Sequence, residues 1–203
     1  HVGNECRNVA ENVGLLDMSA FSKFQVSGPG AEAFLDHLVA NRLPRTDGRV
    51  ALCHALNTRG GVHSEFTIMR DGPERFYLVS AGAQERIDWD WLNWHAPRDG
   101  SVRLDRVTTQ HGVLVVAGPR ARELMGRVTD ADLSNAAFPW LSGQFIDVGL
   151  APCRVVRVNF VGELGWEIHH PMEMQNHVFD ALFEAGQDLG LRPFGIRAMN
   201  HLR

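Results

Sequence analysis

Two carboxylates stand where strand-like patterning would normally hide them. The first is Glu167, in the stretch Val155–His170 read as VVRVNFVGELGWEIHH. Residues 155–160 alternate as a strand with two different faces would. Gly162 and Gly165 bracket a tight turn, and Trp166-Glu167-Ile168 resumes an extended run. On a strand, the Glu167 side chain points opposite to its two apolar neighbours, to solvent or into a cleft. Two readings stand side by side: a solvated strand face, usual for charged residues, and a fixed acceptor for the N–H groups of a ligand. The second carboxylate is Glu65, in Val62–Met69, which follows a Gly60-Gly61 turn and shares its strand face with Thr67.

Other chemistry is less well marked. Ten histidines are present, but there is no HxxxH or HExxH spacing, and His169-His170 are adjacent, so a strand would point them apart. No metal site is expected. Cys6, Cys53 and Cys153 are far apart without CxxC spacing, so neither a disulfide framework nor a zinc site is indicated. Cys53 and Cys153 lie in apolar runs and read as inert core thiols. Gly28-Pro29-Gly30 opens a helix behind a strand and half-matches a dinucleotide fingerprint. Its second copy, Gly118-Pro119-Arg120, lacks the second Gly, so the shared requirement is a turn rather than room for a pyrophosphate. Trp89, Trp91 and Trp94 read as helix-packing residues.

These residues need elements to carry them. The 203 residues carry a net charge of −4, with 44% hydrophobic and 22% charged residues, the composition of a globular chain with a sizeable core. No basic cluster suggests nucleic acid, no run approaches the ~18 apolar residues of a membrane span, and the start has no signal-peptide pattern. The chain begins at His1 and stops inside FGIRAMNHLR, where a helix is starting, so it reads as a piece of a longer polypeptide. The patterning predicts helices at Asn4–Val13, Ala31–Ala40, Ala83–His95, Ala121–Val128 and Met172–Ala185. It predicts strands at Lys23–Ser27, Arg49–Leu56, Val62–Met69, Phe76–Ser80, Leu114–Ala117, Gln144–Val148, Cys153–Phe160 and Gly165–His169. Phe24–Leu38 and Leu114–Val128 match over their Gly-Pro and the helix behind it. The expectation is an internal duplication: an α+β fold of two pseudo-symmetric β-α-β-β-β-α units, residues 1–100 and 101–203. Each of the two Glu follows a Gly by five residues, which places Glu65 and Glu167 on equivalent strands lining a shared central cleft.

The segments LLDMSAFSKFQVSGPGAEAFLDHL, ALNTRGGVHSEFTIM, GVLVVAGPRAREL, NFVGELGWEIHHP and FGIRAMNHLR together resemble the aminomethyltransferase (glycine cleavage T-protein) superfamily. They are most similar to the folate-dependent region of its dimethylglycine and sarcosine dehydrogenase members. The resemblance runs nearly end to end. It implies paired α+β units around a central hole that holds tetrahydrofolate, with a final β domain beyond Arg203 and, in the dehydrogenases, an FAD domain before His1. It implies capture of an iminium or formaldehyde unit from an N-methyl amine, giving 5,10-methylenetetrahydrofolate, in the bacterial cytoplasm or the mitochondrial matrix. An FAD oxidoreductase domain, in the same polypeptide or a partner, would supply that unit. By this resemblance Glu65 takes the position of the catalytic Asp, and Glu167 that of the Glu gripping the pterin's amino-pyrimidine edge. Thr67, Val79 and Phe21 line that pocket, and Phe160 stands where Tyr is frequent. Met199 replaces an Arg near the folate tail. A stand-alone aminomethyltransferase acting on a lipoyl carrier, and a non-catalytic relative kept for regulation or assembly, are the other functions the resemblance leaves open.

Overall fold

The computed structural model describes every residue, His1–Arg203. The chain opens with helix α1 (Val2–Glu11) and strand β1 (Val13–Asp17), then runs β2 (Ser22–Ser27), α2 (Ala31–Leu38), β3 (Val50–Leu56), β4 (Val62–Gly72), β5 (Arg75–Ser80), α3 (Glu85–His95) and β6 (Arg103–Arg106). The same order follows in β7 (His111–Ala117), α4 (Ala121–Met125), β8 (Gly143–Val148), β9 (Ala151–Val156), β10 (Gly165–Pro171), α5 (Gln175–Ala185) and β11 (Leu191–Pro193), and α6 (Ile196–Leu202) ends the chain. Two compact units result: residues 20–109, and residues 1–19 with 110–203. The expected division at residue 100 assigns the first nineteen residues to the first unit, but they pack with the second, because β1 pairs with both β7 and β11.

In residues 20–109 one sheet runs β3-β4-β5-β2-β6. Phe24, Val26, Cys53, Phe66, Ile68, Phe76 and Leu78 share one face and form a core with Phe34, Leu35 and Leu38 of α2 and Leu92 of α3. The period of two puts His54, Glu65, Thr67 and Val79 on the other face. The far end of β4 is tied down by the buried Arg70, which donates to Glu32 at 2.9 Å and to the Pro73 carbonyl at 3.0 Å. On α3 the buried side is Asp88 and Leu92, with Trp89 and Trp91 packed against the core. The expectation that Trp94 is a packing residue like Trp89 and Trp91 fails, since it is 85% exposed.

In the other unit the order is β11-β1-β7-β10-β9-β8. Its core gathers Leu114, Val116, Cys153, Val155, Trp166 and Ile168 from one sheet face with Leu124, Val178 and Leu182 from α4 and α5. The run expected as a strand to Phe160 ends at Val156. Beyond it the chain turns back on itself, Val158 N–H donating to the Val156 carbonyl, and Phe160 sits in a bend.

The duplication holds at the level of topology, and the Gly-Pro turn explains why. Gly28 has φ 113° and Gly118 φ 137°, the region that L side chains avoid. A Cβ on Gly28 would collide with the Ser101 carbonyl; one on Gly118 would lie 2.5 Å from the Asn12 carbonyl and 2.7 Å from that of Val9. The chain's own backbone fills the space where a dinucleotide site would need a pyrophosphate, so rejection of that fingerprint rests on sterics as well as on the missing Gly.

Candidate functional site

The residues nominated from the sequence fall into two groups, one in each unit. Glu167 lies in β10, directly across from Val115 on β7 and Val156 on β9. It is delivered there by a stapled loop: the Asn159 side chain accepts from Val161 N–H at 3.0 Å and donates to the Glu163 carbonyl, so Gly165 enters the strand in register. Trp166 and Ile168 occupy the core face, which turns Glu167 to the sheet face opposite α4 and α5. The solvated reading is overturned, for Glu167 is only 9% exposed. Its Oε2 lies 3.3 Å from His169 Nε2, two residues along the same face. Burial between two valines pushes the carboxyl up to about 7, because a charge in a poorly solvated place is disfavoured. The result is an acceptor group held out of water and poised near neutrality, an arrangement structural carboxylates seldom need.

In residues 20–109, Glu65, Thr67 and Val79 come together on one sheet face. Thr67 is cross-strand from Val79, and Glu65 is one pleat further along β4. Phe21 precedes β2, half-buried, and its carbonyl accepts from Lys23 Nζ at 2.9 Å. Glu65 differs from Glu167 in setting: its side chain is 72% exposed and bonds His54, Oε1 to Nε2, at 3.0 Å. Phe160, in the other unit, is 41% exposed with the Arg203 guanidinium 4.2 Å above its ring. Met199 is buried in α6.

The expectation that Glu65 and Glu167 sit on equivalent strands is corrected by the register. Ser27 pairs with Arg75 beside one Gly-Pro turn, and Ala117 with Gly165 beside the other. Counting from these anchors, Glu167 corresponds to Tyr77, Val79 to His169, and Glu65 to Pro152. A five-residue Gly–Glu spacing therefore occurs on two different strands of the duplicated meander. Two histidines went unnominated. His169 was within reach of a period-two reading of Glu167, whereas His54 depended on knowing the β3–β4 register. No group of three or more His, Cys, Asp or Glu could hold a metal ion. Cys53 and Cys153 are buried free thiols, pushed up to about 11 and about 12 by burial.

A family model described as GCVT N-terminal domain matches residues 1–203. The chain belongs to the GCVT N-terminal domain family. This GCVT domain is 36% identical over 203 residues to "Dimethylglycine dehydrogenase, mitochondrial" of Mus musculus, an alignment covering 100% of the chain and 23% of that protein. It is 32% identical over 205 residues to "Pyruvate dehydrogenase phosphatase regulatory subunit, mitochondrial" of the same organism, again covering 100% of the chain and 23% of the relative. Both relatives are thus about four times longer than the segment the GCVT domain matches. The crystal structure of glycine cleavage system aminomethyltransferase T from Bartonella henselae superposes with a TM-score of 0.85 at 23% identity, over 100% of the chain and 53% of that protein, and shows that the fold is shared.

Proposed function

We propose that this GCVT domain binds tetrahydrofolate and serves one-carbon transfer from an N-methyl amine of the dimethylglycine or sarcosine kind, within a longer protein whose FAD oxidoreductase part generates the one-carbon unit. The observation that carries the reading is Glu167, a buried acceptor on the sheet face opposite α4 and α5 of a chain in this family. The pterin edge presents a ring N–H beside an exocyclic NH2. An ionised carboxylate accepts from both, one with each oxygen, and such charge-assisted pairs are roughly twice as strong as neutral ones. The donor set therefore fits, with His169 fixing the orientation of the carboxylate. When bound, tetrahydrofolate supplies two nitrogens that take up the methylene of an iminium, yielding 5,10-methylenetetrahydrofolate, the demethylated amine and one proton.

The remaining chemistry belongs to the chain. Glu167 binds and orients. Glu65 holds and accepts a proton at its carboxylate oxygen, help worth about 10²–10⁴ in rate. Thr67, Val79, Phe21 and Phe160 keep in this reading the folate-binding roles that the resemblance implies. Similarity to a mitochondrial dehydrogenase supports a mitochondrial or bacterial cytoplasmic setting.

The test is to titrate tetrahydrofolate against the full-length protein and its Glu167→Gln and Glu65→Gln variants, with turnover followed in parallel. Glu167→Gln should lose binding; Glu65→Gln should keep binding and lose turnover. Undiminished affinity in Glu167→Gln overturns the pterin assignment. A second reading, a regulatory domain that binds folate without turnover, is favoured by the similarity to a phosphatase regulatory subunit. It predicts binding but no methylene transfer in the wild type.

A further inference from the structure

We infer that His54 is the positioning residue for Glu65, an inference that rests on the role of Glu65 proposed above. β3 is the edge strand of its sheet, and its pairing with β4 sets His54 directly opposite Glu65. The two side chains leave the same face and meet, Nε2 to Oε1, at 3.0 Å. A carboxylate only accepts, so the imidazole proton sits on Nε2 and is donated to Glu65.

Stability does not account for this pair. The side chains are 46% and 72% exposed, and ion pairs in such settings add little to stability. Orientation does account for it. A free glutamate side chain samples many rotamers, and ordering it costs conformational entropy. The sequence resemblance implies Asp at this position, so Glu adds one methylene and one more rotatable bond to a group that must take a proton from a defined point. The His54 donor on the facing strand removes that freedom. β3 carries no other ionisable group apart from the buried Cys53. His63, two residues before Glu65 at the β3–β4 register shift, is engaged elsewhere, stacked on Trp91 of α3 with ring centroids 3.8 Å apart. His54 is thus the polar partner of Glu65, and the register rather than chance proximity supplies it.

The experiment uses the full-length protein with tetrahydrofolate and the amine donor. His54→Leu should lower kcat by about 10- to 100-fold, the scale of a misplaced catalytic group, with KM for tetrahydrofolate unchanged. His54→Gln, whose amide nitrogen can stand near the position of Nε2, should recover to within about threefold of wild type. In a Glu65→Asp background the shortened carboxylate no longer reaches His54, so His54→Leu should cause no further loss, a coupling that a double-mutant cycle measures. A readout independent of turnover is carbethoxylation of His54 by diethyl pyrocarbonate, followed by peptide mass mapping on the ligand-free protein. The rate should rise several-fold in Glu65→Ala, which removes the acceptor facing Nε2–H. Unchanged or raised kcat in His54→Leu, or an unchanged modification rate, overturns the inference. If Glu65→Gln loses turnover while His54→Leu does not, only His54 is misassigned. If Glu65→Gln turns over normally, or the wild type does not turn over at all, the role of Glu65 falls and takes this inference with it.

Discussion

The Glu167 carboxyl makes a demand that can be checked without knowing the donor amine. Its ordinary value of 4.5 is raised to about 7 by burial. Only the ionised form accepts two N–H groups, so affinity for tetrahydrofolate should follow the ionised fraction, falling about tenfold from pH 8 to pH 6. The linkage has a second, opposite consequence. Because the folded-state value lies above the unfolded one, the folded state retains a proton between 4.5 and about 7. The associated stability is fully present below pH 4.5 and is lost as pH rises through about 7. The rise is worth about 3 kcal/mol at ~1.4 kcal/mol per pH unit. Glu167→Gln abolishes this dependence and keeps the shape of the side chain. At pH 8 the variant should therefore unfold several degrees above the wild type, while binding tetrahydrofolate about 30- to 1,000-fold more weakly, since its own NH2 faces a donor and one N–H goes unpaired. Isothermal titration between pH 6 and 8 and thermal unfolding of the unliganded full-length proteins supply both numbers. A variant less stable than wild type at pH 8 would mean that the carboxylate serves the fold. A wild-type affinity flat across this range would mean that Glu167 does not meet the ligand. Either result refutes the reasoning.

Two further outcomes follow from packing and burial. Gly118→Ala should cost at least about 2–4 kcal/mol, since its Cβ would lie within 2.9 Å of Asn12, Val9 and Val13 backbone atoms. Gly162→Ala, at φ 77° with nothing within 4 Å, should cost about 1–2 kcal/mol; denaturant titration of the two variants makes the comparison. With Cys53 and Cys153 pushed up to about 11 and about 12, a thiol reagent at pH 8 should label Cys6 alone rapidly in the native protein and all three cysteines in guanidinium.

The meander strands and the long helices were legible because their apolar residues recur at strand or helix period over seven or more positions, as in Val50–Leu56 or Gln175–Ala185. What escaped was short or depended on distant partners. β6 and β11 are edge strands of four and three residues, too brief for periodicity to register. The patterning ends a helix at Val13 and gives Gly14–Asp17 no element, because a short apolar run beside a helical pattern carries no boundary; only its partners Ala117 and Leu191, far along the chain, make Val13–Asp17 a strand. The same limit governs the site. That Glu167 avoids the core face was readable from Trp166 and Ile168 on either side. That it is buried nonetheless required knowing that Val115 and Val156 flank it. Matching Glu65 to Glu167 failed because loop spacing was taken for strand register, and register is decided by cross-strand hydrogen bonds that no local pattern encodes.

The pairing of Val13 with Leu191 has a consequence for biosynthesis. Residues 20–109 form a continuous unit whose partners all emerge from the ribosome within one uninterrupted stretch, so this unit can condense early. The first nineteen residues cannot. The apolar run of β1 stays unsatisfied until β7, residues 111–117, has emerged, and gains its second neighbour only when β11, residues 191–193, follows. This delay, inherent in joining segments so remote, makes the α1–β1 segment a natural place for a chaperone to bind during synthesis.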